Sequence, residues 1–223
     1  MDIVLATANP HKVDEMRSIF DRWMDRGRVT VRRLAEIGVP TLEPSETGST
    51  FAENARIKAE SYALQTGRWC LADDSGLEID ALDGRPGVIS SHYCTDGVEV
   101  GMTRDRRDLA NNGRVLRELS GVAREKRTAR FVCVMCLAAP PGSAEGPVFA
   151  RGVFEGRIGI PPEVPRGANG FGYDPVFLVG PAYERTGAEL SAEEKNAASH
   201  RGSAGRAMAV ILAEKIAREH VSG

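Results

Sequence analysis

Residues 69–80 read WCLADDSGLEID. The apolar start of this stretch predicts a buried strand, and the Asp, Ser and Gly residues at 72–76 predict a turn after it. Residues 77–81 then alternate apolar and polar side chains, which indicates a second strand with one buried face. Carboxylates at a strand end, here Asp73 and Asp74, suit Mg2+, because this hard cation prefers carboxylate oxygens. The stretch is therefore either a plain turn or a metal site.

The segments on either side predict alternating strands and helices. A helix is expected from Pro10, behind Asn9 as N-cap, because apolar residues then recur at helical spacing. Capping boxes predict helices after Thr50, with Gly67 as a stop, and after Ser191. The other predicted elements are strands near 2–8, 29–33, 129–139 and 148–158 and helices near 104–119 and 203–218. An α/β fold follows, with a mixed central β-sheet flanked by helices.

The composition excludes several classes of protein. The chain has 223 residues, 42% of them hydrophobic, and a formal net charge of -2. Acidic and basic residues are interspersed, so neither extended nucleic acid nor a membrane surface is an expected partner. The first apolar run is too short for a signal peptide, and no run approaches membrane-spanning length. A cytoplasmic location is therefore expected.

The cysteines do not predict a zinc site. Cys133 and Cys136 lie within the strand predicted at 129–139. Residues three apart on a strand face opposite sides, so these two thiols cannot share a metal. We expect both to be small buried side chains, as free cysteine usually is.

The junction at residues 7–12, TANPHK, could bind phosphate. Free backbone N–H groups and the positive end of the helix dipole attract anions where a strand gives way to a helix. Lys12 would add a mobile positive charge. The alternative is an ordinary capped helix with a solvated lysine.

Two stretches in the last third of the chain could contact a nucleotide. Phe171 could stack on a nucleobase while its glycine neighbours let a flat ligand approach, although a loop anchored in the core is an equal alternative. His200 and Arg201 offer donors for a carbonyl or phosphate oxygen, and exposed charges at a helix start are the alternative.

Taken together and in order, four motifs resemble the inosine triphosphate pyrophosphatase family, also called Ham1-like. They are TxNxxK at 7–12, ADDSGLEIDALDGRPGV at 72–88, GFGYDPVF at 170–177 and EEKNAASHRG at 193–202. The resemblance covers nearly the whole chain. Each motif alone is weak, but the ordered set is specific.

The resemblance implies Mg2+-dependent hydrolysis of ITP, dITP and XTP to the monophosphate and pyrophosphate. It further implies the mixed α/β Maf/Ham1 fold, one domain over residues 1–223 with two lobes around a central cleft, and a homodimer. The implied activity would keep deaminated purines out of nucleic acid.

The resemblance also assigns site residues. Asp74 would be the catalytic base and a metal ligand, with Asp73 and Glu46 as further metal ligands. Ser45 stands where the family often has a second acid, so Glu43 and Glu53 are the alternatives to Glu46. The implied substrate-binding residues are Thr7, Ala8, Asn9, Pro10, His11, Lys12, Ser75, Phe171, Gly172, Tyr173, Asp174, Lys195, His200 and Arg201.

Selectivity follows from hydrogen bonding. Donors from His200 and Arg201 would pair with the 6-oxo group of hypoxanthine or xanthine and stay unpaired against the 6-amino group of adenine. Guanine shares the 6-oxo group, so another contact must reject GTP. Two alternatives remain: a triphosphatase for other modified nucleotides, and a nucleotide-binding module without catalysis.

Overall fold

The structure, a computed structural model, describes residues 1–7, 10–23 and 29–221, with the backbone alone described for residues 10, 11, 15, 23 and 219–221. Its strands are β1 (Asp2–Leu5), β2 (Thr30–Arg33), β3 (Trp69–Ile79), β4 (Thr128–Ala138), β5 (Val148–Ile158) and β6 (Phe177–Val179). Its α-helices are α1 (Pro10–Trp23), α2 (Phe51–Thr66), α3 (Arg104–Glu118), α4 (Ala192–Ala198) and α5 (His200–Val221).

The six strands form one sheet in the order β2-β1-β3-β4-β5-β6. Strand β1 runs parallel to both of its neighbours, β2 and β3. Strand β5 runs antiparallel to β6. The sheet therefore contains both strand directions, and the predicted mixed α/β architecture is confirmed.

Local signals placed the helices well. The Thr50 hydroxyl accepts the Glu53 N–H at 3.2 Å, and Gly67, at φ 66°, ends α2 in the left-handed conformation. Ser191 caps α4 in the same way. Helix α1 begins at Pro10 as predicted, while its expected N-cap, Asn9, lies outside the described residues.

The predicted turn at 72–76 is wrong. Strand β3 is continuous from Trp69 to Ile79 and is almost wholly buried. Asp, Ser and Gly have a local preference for turns. Here contacts with distant residues override that preference. The carboxylates of Asp73 and Asp74 find partners on the elements packed against the strand.

The last helix also begins earlier than predicted. Ser199 has an extended backbone, φ -67° and ψ 162°, and ends α4. Helix α5 then starts at His200 instead of Ser203, so His200 and Arg201 form its first turn.

The chain divides into two compact units that alternate along the sequence. The first unit comprises Met1–Asp74, Cys133–Gly152 and His200–Gly223. Helices α1 and α5 pack on one face of its strands, and helix α2 packs on the other. Cys133 belongs to the first of these clusters and Cys136 to the second, so the predicted opposite orientation of the two buried thiols is confirmed.

The second unit comprises Ser75–Val132 and Val153–Ser199. Its core includes Leu77, Tyr93, Val115, Phe131 and Phe177. The description of residues 1–223 as one domain stays a prediction. In the described part of the chain, no helix has the length and apolar character needed to cross a membrane.

Candidate functional site

Asp73 holds two cations on one face of the first unit. Its carboxylate accepts from Lys12 Nζ of α1 at 3.0 Å and from Arg201 Nε of α5 at 3.3 Å. Asp73 is 5% exposed and Arg201 is 1% exposed. Burial alone would raise the pKa of Asp73, but the charges of Lys12, Arg201 and Lys58 together hold that pKa well below its usual range. Asp73 is therefore ionised.

Asp74, the next residue, meets a different set of partners on α2. Its Oδ2 accepts from Asn54 Nδ2 at 3.2 Å, and its Oδ1 accepts from Lys58 Nζ at 3.2 Å. Burial raises the pKa of Asp74, Lys58 opposes that shift, and Glu46 adds to it. Neighbouring acids thus have pKa values displaced in opposite directions, a pattern typical of functional sites.

Lys58 joins Asp74 to the loop that precedes α2. Its Nζ also donates to Glu46 Oε1 at 3.0 Å. Burial alone would lower the pKa of Lys58, but the nearby carboxylates of Asp74, Asp73 and Glu46 raise it. The ammonium is therefore charged, with the carboxylates of Glu46 and Asp74 both directed at it.

This arrangement fits Mg2+. The oxygens of Glu46 and Asp74 lie within 3.2 Å of one cationic atom, so they already converge on positive charge. Among the described residues, no group of three or more His, Cys, Asp or Glu side chains could hold a metal. Mg2+ does not need such a group, because it is usually held by one or two carboxylates together with substrate phosphates and water.

The choice between Glu46 and its two substitutes can now be argued from contacts. The Glu53 carboxylate accepts from the backbone N–H groups of Ser49 and Thr50 at 2.7 and 3.0 Å, so it serves the helix cap. Glu43 is exposed. Glu46 alone of the three is linked to Asp74 through Lys58, although its role as a ligand stays a prediction.

The predicted phosphate-binding junction is described in part. Thr7 is half-buried just after β1, and Lys12 lies in the first turn of α1. Ala8 and Asn9 are outside the described residues, and of Pro10 and His11 only the helical backbone is described. Within this junction, the ion pair between Lys12 and Asp73 is the described link to the two adjacent acids of β3.

In the second unit, helix α3 holds the loop that carries Phe171. Asp108 accepts the N–H of Gly172 at 2.9 Å, and Asn112 donates to the carbonyl of Gly172 at 3.0 Å. The guanidinium of Arg104 lies 4.5 Å from the centroid of the Phe171 ring. Residues 104, 108 and 112 are four apart, so one face of α3 makes all three contacts.

Asp174 organises the same loop from within. It is 2% exposed, accepts the N–H of Phe171 at 2.8 Å and pairs with Lys195. Gly170, at φ 74°, leaves room for this pair, because a Cβ there would lie 2.2 Å from Asp174 Oδ2. Lys195 Nζ also lies 5.1 Å from the Phe171 ring centroid. The structure thus brings three predicted substrate-binding residues of this unit together.

Tyr173 has a structural partner. It is buried, and its hydroxyl donates to the carbonyl of Ser90 at 2.7 Å. Burial raises the pKa of Tyr173 far above its usual value. The predicted contact of Tyr173 with substrate stays a prediction, as does that of Ser75, which is half-buried on β3.

His200 and Arg201 are placed by a close approach between β5 and α5. A Cβ on Gly152 would lie 2.1 Å from the carbonyl oxygen of His200 and 2.4 Å from the backbone nitrogen of Ala204. Only glycine lets the first turn of α5 sit against the strand here. His200 is 7% exposed, so both predicted donors are buried.

Sequence reasoning missed Asn54 and Lys58. Both sit on α2 four positions apart, hence on one face, and both are buried on a helix whose capping box had been recognised. Polar residues on the buried face of this predicted helix were the available signal. Asn112 of α3, which is buried, carried the same signal, whereas Asp108 is half-buried.

The Ham1 family model matches residues 3–211 of this chain. The dITP/XTP pyrophosphatase of Nitratidesulfovibrio vulgaris is 46% identical over 202 residues, covering 91% of each protein. The dITP/XTP pyrophosphatase of Bacillus subtilis is 44% identical over 211 residues, covering 95% of this chain and 96% of that protein. The solved structure of a HAM1 protein from Coxiella burnetii superposes with a TM-score of 0.79 at 41% identity, covering 96% of this chain and 99% of that one. This chain therefore belongs to the Ham1 family.

Proposed function

We propose that this chain hydrolyses dITP, XTP and ITP to the nucleoside monophosphate and pyrophosphate in the presence of Mg2+. Relatives about as long as this chain are named dITP/XTP pyrophosphatases. The observation that carries the proposal is the buried carboxylate of Asp74, which shares the Lys58 ammonium with Glu46. A triphosphate substrate needs such a combination of cations and a base.

Asp74 is the proposed general base. One of its oxygens would take a proton from the water that attacks the α-phosphorus, and pyrophosphate would leave. Burial raises the pKa of Asp74, which makes its carboxylate a stronger base. The hydrogen bonds from Asn54 and Lys58 hold the carboxylate in one orientation.

The lysines would bind the phosphates. Lys12 lies in the first turn of α1, where the helix dipole also favours anions, and Lys58 lies beside the base. When bound by Asp74 and Glu46, Mg2+ would offset the negative charge of the triphosphate oxygens. The resemblance also made Asp73 a metal ligand. Because its carboxylate contacts Lys12 of α1 and Arg201 of α5, while Asp74 and Glu46 both contact Lys58 of α2, we do not propose that it shares their Mg2+.

Asp73 has a different proposed role. Its lowered pKa keeps it ionised, and its carboxylate holds Lys12 and Arg201. It would thereby keep Lys12 extended toward a phosphate while binding Arg201 through Nε. Donors of His200 and Arg201 are proposed to favour a 6-oxo purine over adenine.

Pyrophosphate release from dITP, XTP, ITP, GTP, ATP and dTTP, with Mg2+ or with EDTA, tests the proposal. We expect release from the first three that EDTA abolishes and that Asp74→Asn lowers by about 10²- to 10⁴-fold, the usual contribution of a general base. Equal release by Asp74→Asn would show that Asp74 is not the base. Faster turnover of dTTP would favour a different triphosphatase, and ITP binding without any pyrophosphate would favour a binding module.

A homodimer and a cytoplasmic location complete the proposal. Light scattering after size-exclusion chromatography tests the first: a mass of twice the 24.1 kDa chain is expected. Fractionation of cells that produce the protein tests the second.

A further inference from the structure

Asn54 uses both ends of its side chain to connect two elements that carry proposed site residues. It is 3% exposed and lies in the first turn of α2. Its Oδ1 accepts the backbone N–H of Gly48 at 2.8 Å, and its Nδ2 donates to Asp74 Oδ2 at 3.2 Å. A single amide therefore links the loop before α2 to the carboxylate on β3.

The loop approaches Asn54 too closely for any residue but glycine. A Cβ on Gly48 would lie 2.7 Å from Asn54 Oδ1 and 2.6 Å from Glu53 Cβ. Glu46 is two residues before this contact and reaches Lys58 at 3.0 Å. The hydrogen bond to Gly48 thus fixes the backbone from which the Glu46 carboxylate extends.

An amide suits this position better than the alternatives. Asparagine supplies one acceptor for the loop and one donor for Asp74, and it carries no charge that would neutralise the carboxylate. Aspartate keeps the acceptor but cannot donate when ionised. Leucine, of similar size, can do neither, and it would leave the N–H of Gly48 without its partner.

We propose that Asn54 is a positioning residue, which sets the carboxylates of Asp74 and Glu46 for the reaction without touching substrate. The proposal rests on the function proposed above. A positioning role differs from a purely structural one in what it predicts. Substitution of Asn54 should lower kcat and cation affinity, whereas loss of a purely structural contact should lower stability alone. Groups that orient metal ligands and catalytic carboxylates commonly contribute 10- to 100-fold to activity or metal affinity.

The test compares Asn54→Asp and Asn54→Leu with the parent chain. A matched control is Asn111→Leu in the second unit, because Asn111 is also buried. Like Asn54, it uses both ends of its side-chain amide: it accepts from the backbone N–H of Cys94 and donates to the carbonyl of Ser91. The readouts are kcat and KM for ITP, Mn2+ affinity by titration calorimetry without nucleotide, and the midpoint of thermal unfolding.

We expect both Asn54 variants to lower kcat by about 10- to 100-fold with KM changed less than about threefold, and Asn54→Leu, which adds no carboxylate, to weaken Mn2+ binding by a similar factor. Asn111→Leu should lower the thermal midpoint while leaving kcat and Mn2+ affinity at parent values. Parent values of kcat and Mn2+ affinity in both Asn54 variants would overturn the positioning role while leaving the proposed function intact.

Two further outcomes also contradict the inference. If Asn111→Leu lowers kcat as much as the Asn54 variants, loss of stability explains all three results. If the parent chain releases no pyrophosphate from any triphosphate, the proposed function fails and the positioning role fails with it. Should Asn54→Leu not fold, Asn54→Asp, which keeps the bond to Gly48, decides the question alone.

Discussion

Asp73 and Asp74 are adjacent on β3, yet their carboxylates lie on opposite faces of the sheet. Asp73 contacts side chains of α1 and α5, and Asp74 contacts side chains of α2. The period of two along a strand explains the separation. One acid thus anchors cations, and the other is the proposed base.

Asp73→Asn is expected to destabilise the fold strongly. The substitution would remove the Asp73 carboxylate from beside Arg201, which is 1% exposed. Breaking a buried ion pair from one side costs about 3–5 kcal/mol. Urea unfolding measures the effect. Asp2→Asn removes the exposed partner of Arg32 and should change the free energy of unfolding by less than about 1 kcal/mol; similar losses in both variants would contradict the prediction.

Tyr93 should make stability depend on alkaline pH. Burial and the hydrogen bond to Glu118 raise the pKa of Tyr93 from 10.0 to about 12. The neutral form is favoured in the fold, so its contribution is complete below pH 10.0 and is lost as pH rises from there through about 12. The free energy of unfolding of Tyr93→Phe should therefore fall less steeply over this range. Identical slopes for the parent and the variant would refute this.

Gly152→Ala should disturb the first turn of α5. The added Cβ would meet the His200 carbonyl oxygen at 2.1 Å, so the turn must move and Arg201 with it. Overpacking of this kind costs about 1–3 kcal/mol, and pyrophosphate release should fall as well. Gly146→Ala is the control, because nothing lies within 4 Å of a Cβ there. The prediction does not survive if both variants retain parental Tm and activity.

Thiol reactivity should separate the cysteines. Burial raises the pKa of Cys70 to about 11 and that of Cys136 to about 12, and Cys133 is fully buried. Cys94 is partly exposed. At pH 8 a disulfide reagent should label Cys94 first in the native protein and all four thiols in urea. Cys94→Ser should remove the fast phase, and a fast phase that persists would show that another thiol is accessible.

Asp108→Asn tests the contact between α3 and the loop at Gly172. The N–H of Gly172 would lose a charged acceptor at 2.9 Å, so the Phe171 ring would be held less firmly. If Phe171 stacks on the nucleobase as predicted, KM for ITP should rise several-fold with a smaller change in kcat. Asp105→Asn, at an exposed position on the same helix, should leave both constants unchanged. A change in kcat alone would argue against this role for the loop.

The elements predicted well are those specified by near neighbours. The start of α2 depends on a bond between Thr50 and Glu53, and its end depends on the left-handed Gly67. Such signals span a few residues, so the sequence displays them directly. The two-residue period of side chains along a strand likewise predicted that Cys133 and Cys136 face opposite sides of β4.

The elements predicted badly depend on distant partners. Asp73 and Asp74 suggested a turn because their local preference is for turns, whereas the strand is maintained by Lys12, Lys58 and Arg201. No residue near Asp73 in the sequence predicts those contacts. The motifs did indicate that both acids are chemically important. That Asp73 and Asp74 contact different helices became evident only from the structure.

The bond between Asp73 and Arg201 joins residues 128 positions apart. During synthesis, Asp73 is therefore added to the chain long before Arg201. Until α5 has been synthesised, Lys12 is the partner on α1 that can hold Asp73, and the face of the strand that α5 covers lies bare. Contacts of such long range form late and slowly. The ion pair between Asp73 and Arg201 can therefore form only after α5 has been made, whereas the contacts of Asp74 with Asn54 and Lys58 need only residues that precede it in the chain.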